Sequence, residues 1–135
     1  MSRSGYSDDC GGAELNLWHG AVESALRGKR GQALLADLVA GLDAMPIKRL
    51  VSNELITAAG EFCSLGVVAC QRGIVAQIEN LNPEDRDGVA RTFGIAKALA
   101  AEIVFMNDEY QSSETPEVKW SRMRKWASDR LHKVA

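Results

Sequence analysis

The stretch from Val118 to Lys133, VKWSRMRKWASDRLHK, gathers Lys119, Arg122, Arg124, Lys125, Arg130 and Lys133 against a single acid, Asp129, and interleaves them with Trp120 and Trp126. Cations set among indoles suit two chemistries. They can steer toward an acidic protein surface that an aromatic anchor then desolvates, or follow a phosphate backbone while the rings stack on bases. Turned about 100° per residue, Lys119, Arg122, Arg130 and Lys133 share an arc of about 80° with Trp126 in its middle. Trp120, Met123, Ala127 and Leu131 occupy the adjoining arc and read as the face toward the core. Trp126 sits on the border: outward it is an anchor ringed by charge, inward the cations snorkel around a buried indole, and the inward reading is favoured.

Lys29 and Arg30 form a second cationic spot, placed just before a helix start where positive charge opposes the macrodipole at about 0.3 kcal/mol each. A solvated turn is the simpler account, and an anionic contact is the functional one. Lys119, Arg122, Trp126, Arg130, Lys133, Lys29 and Arg30 together are the candidate partner-binding residues.

Catalytic chemistry has less to stand on. Metal binding needs ligands at spacings such as C-x₂₋₄-C or H-x₃₋₅-H, and neither His19 and His132 nor Cys10, Cys63 and Cys70 provide them. No nucleophile elbow, phosphate-cradling loop or dinucleotide glycine pattern occurs, so no catalytic residue, metal or cofactor is assigned. Glu54 and Glu61 flank a turn and read as solvated surface; Glu102 reads as an ion-pair partner of Arg122 or Arg124. Cys63 and Cys70 read as buried, inert thiols, and Asn107-Asp108 as a helix terminator.

The elements that must position these residues follow from periodicity. Residues 1–12 are polar and glycine-rich and are expected to be flexible; 13–135 form a single helical domain. Leu15, Trp18, Val22, Ala25 and Leu26 mark a first amphipathic helix ending at Gly28, and Leu34, Leu35, Leu38, Leu42 and Met45 mark a second, stopped by Pro46. Residues 50 to 63 contain two β-favouring pieces around Ala58-Ala59-Gly60 and predict a small β-hairpin. Ser64 to Cys70 is a buried helix closed at Arg72-Gly73, and Asn82-Pro83-Glu84-Asp85 is a capped helix start. Gly94 breaks the chain before a long helix carrying Ile95, Leu99, Ile103 and Met106, and Thr115-Pro116 caps the terminal helix. The expected fold is α+β, mostly α: about five to six helices with one hairpin near 50–63.

The landmarks Gly60-x-x-Cys63-x-Leu65-Gly66, Asn107-Asp108 and Thr115-Pro116-Glu117-x-x-Trp120 resemble a family of small proteins of unknown function found in phages, prophages and bacterial genomes. The resemblance implies an α+β fold and a mobile-element origin, and supplies no activity.

The overall charge of −2 with a cationic end leaves the rest of the chain acidic, which disfavours a general nucleic-acid coat protein. No apolar run is long enough to span a membrane, no secretory signal opens the chain, and the odd cysteine count fits reduced thiols, so a cytoplasmic setting in a bacterial host cell is expected. The expected function is a non-enzymatic interaction protein binding a host or phage protein complex, with an anti-CRISPR-like inhibitor as one instance. The alternative is a nucleic-acid-binding accessory protein using the basic C-terminal helix. Either a monomer or a homodimer fits.

Overall fold

The computed structural model describes residues 12–109 and 113–132, with side chains from Trp18 onward. Among these residues the chain forms seven helices: α1 (Gly12–Arg27), α2 (Lys29–Ala44), α3 (Ser64–Arg72), α4 (Val75–Ile78), α5 (Arg86–Phe93), α6 (Lys97–Asp108) and α7 (Pro116–Arg130). α2 lies at the centre, packed against α1, α3 and α7, while α6 closes the other side against α1, α3 and α5. Its leucines explain this position. Leu34, Leu35, Leu38 and Leu42 recur at helical spacing and all are fully buried, joining one core with Leu65, Val68, Phe93, Leu99, Ile103 and Met123.

The expected α+β class is corrected to all-α, because the described residues contain no strand. What stands at 50–63 is one isolated antiparallel bridge, Ile56 with Phe62. Gly60 does take the left-handed conformation (φ 81°) that the turn reading required, and the Thr57 and Glu61 backbones bond across it at 2.8 Å. A ladder cannot grow from there. Asn53 turns the first arm at φ 70°, and the second arm enters α3 at Ser64, two residues after the bridge. The backbone groups are satisfied irregularly instead, Val51 N–H by Phe62 O at 3.0 Å and Cys63 N–H by Leu55 O at 3.3 Å.

Several helix ends move relative to the sequence reading. Gly28 alone separates α1 from α2, so Lys29 and Arg30 lie inside the first turn of α2 rather than before it. The cap of α5 is Asp85, whose Oδ1 accepts from Gly88 N–H at 3.0 Å, whereas Asn82 closes a preceding turn by accepting from Glu84 N–H at 2.9 Å. The one-turn α4 had no sequence signal. Thr115 caps α7 with Pro116 in its first turn, and Gly73 and Gly94 terminate α3 and α5 in the left-handed region, as read.

No helix is long and apolar enough to cross a membrane among the described residues. The expected flexible segment 1–12 lies, apart from Gly12 at the start of α1, outside the described residues.

Candidate functional site

α7 is a single helix, and its inward strip is rotated toward the cationic arc: Lys119, Met123, Trp126 and Ala127 are buried, while Trp120 and Leu131 are half-buried. Trp126 is 5% exposed, so the indole is packed inward, in line with the favoured reading. Arg130 covers it, the guanidinium lying 4.8 Å from the ring centre and donating to the Trp126 carbonyl at 3.1 Å.

The other cations of this helix are spent inside the protein. Lys119 is 6% exposed; its Nζ donates to Ser52 Oγ at 2.6 Å and to the Asn107 carbonyl, and lies 3.8 Å from Glu114. Arg122 grips Glu114 through Nε and Nη2 in a fork geometry. The hydrogen bonds and the positive charge of Arg122, with Lys119 adding to them, hold the Glu114 carboxyl below the usual glutamate range against the opposing effect of burial. Arg124 makes two bonds to Asp43, at 2.6 and 3.0 Å, which lower the Asp43 pKa and raise that of Arg124. Lys125 pairs with Asp129 one turn on at 2.7 Å. The tight carboxylate partners of Arg122 and Arg124 are thus Glu114 and Asp43, two acids to which the sequence reading gave no role. Lys133 lies outside the described residues.

Lys29 and Arg30 are exposed, and no carboxylate pairs with either among the described residues. Gln32, one turn along, donates to the Arg130 carbonyl at 3.2 Å and accepts from His132 N–H at 2.8 Å. Gln32 thus ties the first turn of α2 to the backbone at the Arg130 end of α7. Lys29 and Arg30 also line a shallow recess with Ala96 and Leu99.

A larger concavity than this recess lies elsewhere. A groove of about 590 Å³ runs between the C-terminal end of α2, the turn at 59–62 and the outer face of α3. Met45, Pro46, Phe62 and Val67 make it apolar, Cys70 opens on its wall, and no histidine lines it. Close packing forms its floor: a Cβ on Gly41 would come within 2.6 Å of Val67 Cγ1, so only glycine lets α2 settle this deeply on α3. Ile47, 66% exposed, stands at the rim. Arg49 beside it reaches Glu61 at 3.6 Å and Glu117 at 3.5 Å. Val118, next to Glu117, is 50% exposed; it and Ile47 are the exposed large hydrophobic residues among those described.

Sequence reasoning missed this groove because its walls come from segments far apart in the chain. One signal was present: Pro46 stops α2 and is followed by Ile47, an apolar residue with no periodic partner. Cys63 is buried as read, but Cys70 is exposed, a correction that follows from its place on the outer face of α3. The remaining landmarks are structural. Asn107 and Ser64 hydrogen-bond each other, and Trp120 Nε1 donates to the Leu42 carbonyl at 3.2 Å.

No family model, curated protein or solved structure matches this chain. Fold and site by themselves define a small all-α domain with an apolar, open groove and a separate cationic corner.

Proposed function

We propose that this protein is a non-enzymatic interaction protein that docks a polypeptide on its groove face. The observation that carries the reading is the groove of about 590 Å³ with exposed Ile47 at its rim and Val118 beyond the Arg49–Glu61–Glu117 charges. Clustered apolar exposure rimmed by charge is the pattern of a contact surface, whereas small-molecule sites add convergent polar groups that fix a ligand's orientation. Here Arg49 and Glu61 already face one another, and Gln71 is the other polar side chain in the lining. An inhibitor that occludes a host or phage complex is the instance implied by the phage and prophage resemblance. The test is quantitative co-purification from bacterial lysate with the wild type and Ile47→Asp, each captured protein being rebuilt with the chain from purified components. Loss of a stoichiometric partner, or of self-association, with Ile47→Asp supports the reading; the same captured proteins and the same self-association from both overturn it.

A nucleic-acid-binding accessory role is the second reading, and it is favoured by one observation: Lys29 and Arg30 are exposed at the start of α2 and have no acid paired to them among the described residues. A titration against duplex DNA at several salt concentrations tests it, because each phosphate contact adds to the salt slope. Binding that does not weaken with salt overturns this reading.

A further inference from the structure

We infer that the polypeptide on the groove face is a second copy of this chain, the two copies packing about a two-fold axis with Ile47 of each entering the groove of the other. The inference rests on the docking reading above and names its partner.

A two-fold contact uses the same patch twice, so the patch must complement itself in shape and in charge. This face does both. It holds a concavity walled by Met45, Pro46, Phe62 and Val67, and directly at its rim a projecting apolar side chain, Ile47. It also holds both signs of charge, Arg49 lying between Glu61 and Glu117 at separations of 3.6 and 3.5 Å. These distances are long for ion pairs, and all three side chains are well exposed, so each can turn toward an opposite charge across an interface without breaking a tight bond. A rim of one sign would repel its own copy, whereas this rim presents a cation to carboxylates in both directions.

Other occupants fit less well. The chain's own remaining segments, 1–11, 110–112 and 133–135, contain no apolar run to lay in the groove. For a small ligand the lining offers few groups to fix an orientation, Arg49, Glu61 and Gln71 standing among apolar side chains.

Cys70 provides a readout. It is exposed on the groove wall, while Cys63 is 1% exposed, so in a Cys10→Ser background Cys70 is the reactive thiol of the described structure. The experiment is sedimentation velocity and native mass spectrometry of the purified full chain over a wide concentration range, with wild type and Ile47→Asp side by side. A short bis-maleimide is then applied to the Cys10→Ser protein. The expected result is a reversible species of twice the 14.6 kDa chain mass. Ile47→Asp is expected to weaken it about thirtyfold or more, the scale of a hot-spot residue, and the cross-linker to trap a Cys70–Cys70 dimer. Ile47 is a surface residue, and an unchanged circular dichroism spectrum separates lost association from lost folding. A wild type that stays monomeric at every concentration overturns the assignment, as does a dimer indifferent to Ile47→Asp or a small molecule or foreign peptide retained at one equivalent. A monomeric wild type that still loses a rebuilt lysate partner with Ile47→Asp overturns this assignment and leaves the docking reading standing.

Discussion

Asn107 Oδ1 accepts from both the backbone N–H of Ser64, at 3.0 Å, and the Ser64 hydroxyl, at 2.8 Å, so the end of α6 caps the start of α3. The N-cap position of α3 is Cys63, whose side chain makes no capping bond, and the acceptor arrives from 43 residues away. Asn107 Nδ2 also donates to the Val51 carbonyl at 2.9 Å, and its own carbonyl receives Lys119 Nζ. One residue, 1% exposed, thereby ties α3 and the 50–63 segment to α6 through its side chain and α7 through its backbone carbonyl.

Asn107→Ala leaves the Ser64 N–H and the Val51 carbonyl without these partners in or near the core. The expected cost is about 3 kcal/mol, since each buried unsatisfied group costs about 1–3 kcal/mol. Urea unfolding of the variant against wild type measures it. A loss below about 1 kcal/mol would show that water replaces the amide and that the shared cap is dispensable.

Glu114 gives the protein a pH dependence with a definite sign. Its folded pKa lies below the ordinary value of 4.5, so the stability it contributes is complete above that value and is lost as pH falls through the depressed folded pKa. Glu114→Gln should therefore cost about 3 kcal/mol at neutral pH, because two cations lose their buried partner, and should flatten the acid limb of the stability curve. Asp43, also lowered by its arginine, is half exposed, and Asp43→Asn is expected to change stability by less than about 1 kcal/mol. Denaturation midpoints collected from neutral to acid pH check both.

Gly66 separates packing from propensity. A Cβ there would stand 2.0 Å from the Leu55 carbonyl oxygen, a backbone atom held by its bond to Cys63 N–H. Alanine is the better helix former by about 1 kcal/mol, yet Gly66→Ala is expected to destabilise by about 3 kcal/mol or more because α3 must move off the 50–63 segment. A melting temperature at or above wild type would contradict that close approach.

Trp126 Nε1 is buried without a hydrogen-bond partner among the described residues. Trp126→Phe removes the unsatisfied donor and keeps most of the ring, so the gain and the lost volume should offset within about 1 kcal/mol. Trp126→Ala empties the site and should cost about 3–5 kcal/mol. A large loss with phenylalanine would mean that the indole nitrogen has a partner in solution, and a protein crystal structure with ordered water would reveal it.

Most of the helical fold could be read in the chain because it rests on local regularities. The leucines of α2, the Thr115-Pro116 start of α7 and the glycines ending α3 and α5 act within a turn or two of themselves, and each stands where its spacing placed it. The hairpin failed for the complementary reason. Its turn was local and correct, but a strand needs pairing length, and α3 begins too soon to leave any. The cationic face was half legible: helical geometry put the charges on one side of α7 but could not say that Glu114 and Asp43 would be waiting there.

The sequence by itself determined an all-but-complete set of helices and the border position of Trp126 on α7, since these follow from side-chain period and chain stereochemistry. Only the tertiary structure decided which cations are neutralised, that Asn107 caps a helix not its own, and that the ends of α2, α3 and the 59–62 turn enclose a groove. Those outcomes depend on which distant segments meet, and the free energy of that meeting comes from shared burial that no single segment encodes.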